Sequence, residues 1–178
     1  SEQVDGSLDK AQRQARSGDK DAKFRQSVLE KCKECIDNEQ PLRTLDLNPE
    51  EAKAVRSFGL ITAKPILYVA NVDEDHADGS GPMVEAVRNY AAEHGGGVVV
   101  VCAKIESELA ELDDEDKLEM LQSLGMEEPA LAVVARGSYE LLGLQSYFTA
   151  GPKEIRAWTI RKGDTAPKAA GVIHGDFE

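Results

Sequence analysis

The apolar residues of the first 40 positions recur at helical spacing on either side of a short break. The first series consists of Val4, Leu8, Ala11 and Ala15, and the second of Phe24, Val28, Leu29, Cys32, Cys35 and Ile36. Intervals of three and four residues place each series on one face of a helix. Gly18, in the intervening Ser17-Gly18-Asp19, suits a helix end. The pattern predicts an antiparallel helical hairpin over residues 1–40.

A different pattern follows, in which short continuous apolar runs alternate with helical segments. Asn48-Pro49 predicts the start of a helix, because Asn caps helix N-termini and Pro is tolerated at the first helical position. The runs at 65–70 and 98–102 are typical of strands buried on both faces of a parallel sheet. Between them lie a helix predicted over about 82–94 and the glycines at 95–97, which we expect to end it. The order strand, helix, strand predicts a βαβ unit.

The chain beyond residue 104 is predicted to hold further helices and a small α+β module. Residues 105–125 are acidic, with apolar residues at helical spacing. We expect Asp113 to cap a helix whose first turn carries the acids 114–116, and not to bind a metal ion. Pro129 begins another helix, and beyond Gly143 the apolar period changes to two, as in a β-hairpin.

The chain is acidic, with 21 Lys and Arg against 33 Asp and Glu and a formal net charge of −12. This balance disfavours broad nonspecific binding to nucleic acid, which needs clustered cations. Residues 151–178 carry five Lys and Arg against four Asp and Glu, so their charge of +1 leaves −13 for the first 150 residues. On this division we expect an RNA-facing surface only in the C-terminal segment.

Three cysteines raise a redox or zinc alternative. Cys32 and Cys35 have CxxC spacing, but zinc needs two further ligands nearby, and a redox pair usually follows a strand. These two lie in a charged helical stretch, so we expect them to pack in a core. The odd number of cysteines favours reduced thiols. Such thiols are typical of the cytosol, so the expected location is the cytoplasm. Neither an apolar run of membrane-spanning length nor a signal peptide is found.

The expected ligand site lies where the two apolar runs end. Ligands of open α/β sheets bind at the carboxyl ends of the strands, here Asn71-Val72-Asp73-Glu74 and Cys102-Ala103-Lys104. GTPases place Asn-Lys-x-Asp and Ser-Ala-Lys motifs at two such ends, where the Asp accepts hydrogen bonds from two donors of guanine. Adenine presents an acceptor at N1, so the same carboxylate would lose about 1–3 kcal/mol.

This chain departs from the guanine pattern at two informative positions. Val72 stands in place of the Lys, and Glu74 in place of the Asp. The amide of Asn71 both donates and accepts, so it can serve adenine. The alternative is a plain strand end with a capping Asn.

The chain resembles the YchF family of Obg-like ATPases along essentially its whole length. The resemblance rests on KPILYVANVDE, VVVVCAK, AELDD, the SGDKDAK turn and above all LLGLQSYFTAGPKEIRAWTIRKGDTAPKAAGVIH. It implies an α/β fold, namely the C-terminal part of a P-loop NTPase (G-domain-like) parallel sheet with a coiled-coil hairpin and the start of a ubiquitin-like α+β TGS domain. The implied boundaries are 1–40 for the hairpin, 41–145 for the NTPase part and 146–178 for the incomplete TGS part.

The resemblance also implies a function and a site. In this family ATP is preferred over GTP, and the expected partners are ribosomes or ribosomal subunits, with an RNA contact through the TGS region, no membrane and a monomeric state. The purine pocket is expected to use Asn71, Val72 and Glu74, with a second base-side loop of Cys102, Ala103 and Lys104.

The 178 residues contain no G-x-x-x-x-G-K-[ST] loop, which would cradle the phosphates and hold magnesium. We therefore expect a longer parent enzyme that binds ATP with Mg²⁺ and hydrolyses it. This chain alone is expected to bind ATP weakly or not at all and to be inactive, with no catalytic residue and no metal ligand assigned. The alternative is a non-catalytic interaction module, in which the hairpin and the TGS part bind partners and the nucleotide pocket is vestigial.

Overall fold

A computed structural model describes residues 2–177, except for the side chain of Phe177. Ser1 and Glu178, the outermost residues of the predicted hairpin and TGS part, lie outside the described residues. The chain divides into two compact units, Ser1–Pro65 with Ala92–Gly95, and Ile66–Ala91 with Gly96–Glu178. The three-part division at residues 40 and 145 stays a prediction.

The described residues form a mixed α/β fold, as the sequence predicts. The helices are α1 (Glu2–Ala15), α2 (Lys20–Asp37), α3 (Pro49–Ser57), α4 (Pro82–Glu93), α5 (Ala103–Ala110), α6 (Asp114–Ser123), α7 (Ala130–Leu141) and α8 (Ala166–Gly171). The strands are β1 (Ile66–Asn71), β2 (Gly96–Val101), β3 (Leu144–Ala150) and β4 (Ile155–Arg161). Short 3-10 turns occupy Leu42–Thr44, Ile61–Ala63, Glu74–His76 and Gly175–Phe177.

The first unit is built on the α1–α2 hairpin. Its core buries the apolar face predicted for each helix, with Val4, Leu8, Ala11, Val28, Leu29, Cys32 and Cys35 in one cluster. Phe24, which the spacing assigned to the same face of α2, is instead 36% exposed. It lies within one turn of the end of the hairpin, where α1 has already ended at Ala15 and offers less surface to cover it.

Helix α3 begins as the sequence predicts. The Asn48 side chain accepts hydrogen bonds from the backbone N–H groups of Glu50 and Glu51, at 3.0 and 2.9 Å. The Glu51 carboxylate accepts in return from the N–H of Asn48, which completes a capping box with Pro49 at the first helical position. Lys31 Nζ lies 2.6 Å from Glu51 Oε1, and this hydrogen bond is the main reason that the pKa of Glu51 is lowered.

The second unit contains a parallel pair of strands. β1 and β2 pair in register from Ile66 opposite Gly96 to Asn71 opposite Val101. Helix α7 packs on this sheet, and a Cβ atom on Gly137 would lie 2.5 Å from a methyl carbon of Val99. The expectation that β1 is buried on both faces is wrong, since Val69 is 48% exposed. Within the described residues β1 has a neighbouring strand on one side only, which leaves it partly uncovered.

Two of the three glycines at 95–97 belong to β2 and do not end the preceding helix as expected. Gly95 alone follows the helix with φ +65°, a conformation that favours glycine. A Cβ atom on Gly96 would lie 2.7 Å from Cε2 of Tyr68, so the tyrosine ring of β1 fills the space beside the glycine. Gly96 and Gly97 can therefore extend the strand.

The C-terminal part of this unit is the predicted β-hairpin followed by a short helix. β3 and β4 pair antiparallel, from Leu144 opposite Arg161 to Ala150 opposite Ile155. Trp158 Nε1 donates to Thr149 Oγ1 at 2.9 Å, and the Tyr147 hydroxyl donates to the backbone carbonyl of Ala169 at 2.8 Å. The second bond attaches α8 to the hairpin.

Candidate functional site

The two predicted ligand segments leave the parallel sheet side by side. Asn71 is the last residue of β1 and lies opposite Val101, the last residue of β2. The ladder continues one residue further, because the N–H of Val72 donates to the carbonyl of Val101 at 2.9 Å. Val72 to Glu74 and Cys102 to Lys104 therefore start at the same edge of the sheet, the usual ligand edge of an open α/β fold.

Asn71 joins the two segments through a helix-capping bond. Its Oδ1 atom accepts a hydrogen bond from the backbone N–H of Ala103 at 3.0 Å. Ala103 is the first residue of α5, and Cys102, in the N-cap position, makes no side-chain cap of its own. Because a thiol is a poor acceptor, Asn71 supplies from the neighbouring strand the oxygen that the start of the helix needs. With Oδ1 used in this way, the Asn71 amide has its two N–H donors to offer to a ligand.

Glu74 and Lys104 form a second link between the segments. Lys104 Nζ lies 2.7 Å from Glu74 Oε2, and the two side chains are 65% and 48% exposed. The hydrogen bond to Glu74 is the first cause of the raised pKa of Lys104. The Glu74 carboxylate thus has a cation from the other segment beside it.

The structure corrects the predicted position of Cys102. It was expected at the end of the strand, but β2 ends at Val101, and Ala103 and Lys104 form the first two residues of α5. Cys102 is 2% exposed and packs with Ile105, Leu109 and Leu121, with Val72 partly buried against this cluster. The Cys102 side chain therefore holds the segment in place, and any contact with a ligand falls to the backbone beside it.

A cavity of about 300 Å³ opens next to the first segment. It is lined by Asn71, Val72, Asp73, His76, Ser80, Gly81, Pro82, Met83 and Val84. Among the described residues, this lining includes two of the three predicted residues of the first segment and leaves out Glu74 and the three of the second. Apolar carbon from Val72, Met83 and Val84 together with the polar Asn71 suits a flat, partly polar ring.

Asp73 and His76 form a pair that the sequence reasoning missed. Nδ1 of His76 lies 2.6 Å from Oδ1 of Asp73, and both residues line the cavity. This hydrogen bond is the largest cause of both a lowered pKa for Asp73 and a raised pKa for His76. The available signal was Asp-x-x-His immediately after a strand, which brings the two side chains together in a single 3-10 turn.

Gly81 makes room for the histidine ring. It has φ +107°, and a Cβ atom there would lie only 2.8 Å from Cδ2 of His76. Backbone conformation and space both require glycine at this position. The glycine-rich loop before α4 thus shapes the cavity wall.

Asp113 and the two CxxC cysteines lie outside this edge of the sheet. Asp113 caps α6 by accepting from the N–H groups of Glu115 and Asp116, at 3.1 and 3.0 Å. Within residues 2–177, no group of three or more His, Cys, Asp or Glu side chains is arranged to hold a metal ion. Cys32 and Cys35 are free and buried, and burial raises the pKa of Cys32 to about 11. A search of the described helices finds none that is long and apolar enough to span a membrane.

Comparison with known proteins finds relatives that match nearly the whole chain. The family model YchF-GTPase_C, described as a protein of unknown function, matches residues 144–178. The ribosome-binding ATPase YchF of Haemophilus influenzae is 53% identical over 171 residues, which cover 96% of this chain and 47% of that protein. The ribosome-binding ATPase YchF of Bacillus subtilis is 49% identical over 179 residues, or 99% of this chain and 49% of that protein.

A solved structure extends the match to the fold. The structure of the Schizosaccharomyces pombe YchF GTPase superposes with a TM-score of 0.81 at 30% identity, covering 99% of this chain and 49% of that one. The curated relatives are named ATPases and this structure is titled a GTPase, so the names alone do not decide the base. The chain spans about half the length of the relatives that it matches, and it belongs to the YchF family.

Proposed function

We propose that the edge formed by Asn71–Glu74 and Cys102–Lys104 binds the purine base of a nucleotide, with adenine preferred over guanine. The observation that carries the proposal is the pair of links between the segments, from Asn71 Oδ1 to the N–H of Ala103 and from Glu74 to Lys104. The first link directs the donors of the Asn71 amide to a purine ring nitrogen. The second ties up the carboxylate of Glu74, which stands where the Asn-Lys-x-Asp pattern has its guanine-binding Asp.

The hydrogen-bonding edges of the two bases explain the preference. Both purines present an acceptor at N7, whereas adenine has a donor at N6 and guanine an acceptor at O6. The Asn71 amide can donate a hydrogen bond to N7 of either base. A Glu74 carboxylate held by Lys104 is a weaker acceptor for the donors of guanine, so guanine loses the contact that it has in the Asn-Lys-x-Asp pattern.

In this proposal the chain itself does not bind the phosphates of the nucleotide or the magnesium ion. The 178 residues contain no G-x-x-x-x-G-K-[ST] sequence, and the cavity beside Asn71 offers no Lys or Arg among its lining residues. ATP hydrolysis and association with the ribosome, which the names of the relatives state for those proteins, are therefore proposed for a longer parent protein. A cytoplasmic location, a monomeric state and an RNA contact through residues 146–178 belong to the same proposal.

Titration of the ¹⁵N-labelled chain tests the base site directly. ATP, GTP and inorganic tripolyphosphate are added to about 5 mM, a range suited to weak binding. We expect ATP to shift the amide signals of 71–74 and 103–104, GTP to shift them less, and tripolyphosphate to leave them in place. Equal shifts from tripolyphosphate, or none from ATP, would contradict base recognition.

A second candidate function is an interaction module, and an exposed apolar face favours it. Phe148 and Ile155 are 72% and 78% exposed. The register places both on one face of the hairpin, because Ala150, two residues after Phe148, lies opposite Ile155. Co-sedimentation with ribosomes separates the candidates. A module would lose binding in F148S/I155S and keep it in N71A.

A further inference from the structure

Charged residues are segregated within the α1–α2 hairpin. Away from the turn the cations are paired, with Lys33 Nζ 2.7 Å from Asp5 and Lys31 Nζ 2.6 Å from Glu51. Around the turn, residues 10–25 hold six Lys and Arg against two Asp, a local charge of +4 in a chain of net charge −12. We call this cluster the basic tip, and it consists of Lys10, Arg13, Arg16, Lys20, Lys23 and Arg25.

The six cations of the basic tip are all exposed. Across residues 2–177, none of the six forms an ion pair, and Arg25 lies 5.7 Å from the centroid of the Phe58 ring. Asp19, one of the two acids, is engaged in capping α2 at the N–H groups of Asp21 and Ala22. Like charges three and four residues apart destabilise helices, so packing and folding do not account for the cluster.

The surface of the tip is polar as well as basic. An open depression of about 340 Å³ crosses the two helices and is lined by Gln12, Ala15, Arg16, Lys23 and Gln26. Arg16 and Lys23 contribute a cation from each side of the turn, and the two glutamines add neutral donors and acceptors. Exposed cations with adjustable polar groups are the composition of surfaces that bind nucleic-acid backbones.

Two other anionic partners fit less well. An amphipathic helix that lies on an acidic membrane presents an apolar face beside its cations, whereas Val4, Leu8, Ala11 and Ala15 of α1 are buried. A protein interface has an apolar core within a polar rim. The depression instead has Gln12 and Gln26 beside its cations.

We propose that the basic tip binds the phosphate backbone of RNA. Phosphates replace the missing counter-ions, and affinity comes from the release of cations condensed on the RNA. The site uses none of the residues of the purine site and does not rest on nucleotide binding. In a protein that associates with the ribosome, this surface would contact ribosomal RNA. The net charge of residues 1–150 does not reveal the basic tip, because acidic residues elsewhere in that segment outnumber its cations.

Fluorescence anisotropy with a labelled RNA stem-loop tests the proposal on the whole chain. Binding of the wild type is measured from about 0.05 to 0.3 M salt, and the slope of log K against log[salt] counts the phosphates neutralised. The test variant is R16Q/K23Q, since Gln removes each charge but keeps a long polar side chain, and it is a good helix former at Lys23 in α2. The matched control is K53Q/K64Q, which removes two exposed cations of the same unit that form no ion pair with any residue in 2–177. Circular dichroism checks that each variant is folded.

We expect R16Q/K23Q to lower the salt slope by about two and the affinity at 0.1 M salt by at least about tenfold, with the control close to wild type. If the test and control variants lost RNA affinity equally, binding would follow net charge alone and the proposed site would be wrong. Tip-dependent binding of a poly-glutamate peptide or of anionic vesicles in place of RNA would overturn the assignment of the partner. Loss of the ATP-induced amide shifts in 71–74 with intact RNA binding would refute only the purine site.

Discussion

The side-chain oxygen of Asn71 caps a helix that begins 32 residues later, at the N–H of Ala103. Asn71 therefore has the capping role that the sequence offered as an alternative to base binding. Capping uses Oδ1, whereas base binding would use Nδ2, so one role does not exclude the other. The two roles rest on different atoms of one amide. Substitution can therefore separate them.

Asn71→Asp keeps the capping oxygen and removes the donors. We expect its free energy of unfolding to stay within about 0.5 kcal/mol of wild type, since Asp is as good a cap as Asn. We expect the ATP-induced amide shifts to disappear. Asn71→Ala should lose about 1 kcal/mol of stability as well as the shifts. Urea denaturation and the nucleotide titration measure the two effects, and retained ATP shifts in Asn71→Asp would leave capping as the only role.

Lys104→Met should move the base preference toward guanine. The substitution removes the cation that lies 2.7 Å from Glu74 and leaves an accepting carboxylate at the ligand edge. We expect the ratio of ATP to GTP affinity to fall by about tenfold, the value of one charge-assisted hydrogen bond. Lys117→Met, which removes the partner of Asp114 on α6, is the control. A ratio that stays at the wild-type value in Lys104→Met would show that Glu74 does not read the base.

The Asp73–His76 pair should give the cavity a pH response. His76 has a raised pKa, so its contribution to stability is complete below the unfolded pKa near 6.5 and is lost as pH rises through the folded value. Asp73 has a lowered pKa, so its contribution is present above its unfolded value and is lost at lower pH. Stability from the pair is greatest between the two, at about pH 4 to 6.5.

Proton NMR of the His76 ring measures this directly. Asp73→Asn should bring the pKa of His76 down toward its ordinary value, although Asp75 and Asp78 still raise it to a smaller extent. The neighbouring Asp75→Asn serves as the control and should shift it less. An unchanged His76 titration in Asp73→Asn would mean that the 2.6 Å hydrogen bond does not form in solution.

Local periodicity accounts for the part of the fold that the sequence predicts. The buried face of α1, the N-cap of α3 at Asn48 and the cap at Asp113 depend on residues close together in the chain, so their spacing is enough. The beginning of β2 depends on a distant residue. Gly96 belongs to a strand because Tyr68 fills the space beside it, and nothing within the glycine run indicates that.

The candidate site likewise has one part that the sequence predicts and another that it does not. The two strand ends mark Asn71 to Glu74 and Cys102 to Lys104 as neighbours, and the structure brings them together. The partners within them were not predictable, since Glu74 and Lys104 are 30 residues apart and either could have faced solvent alone. The start of α5 at Ala103, directly after Cys102, was likewise not predictable, because the alternation of strand and loop does not indicate a helix there.

Cys32 should be unreactive in the folded chain. Burial raises its pKa to about 11, with a smaller contribution from Cys35. At pH 8 only about one thiol in a thousand is then the reactive thiolate. We expect alkylation of Cys32 by iodoacetamide, followed by mass spectrometry, to be at least about a hundredfold slower in the folded chain than in urea, where the pKa returns toward 8.5. Rapid alkylation of the native protein, or a disulfide between Cys32 and Cys35 under mild oxidation, would instead support the redox alternative that the CxxC spacing raised.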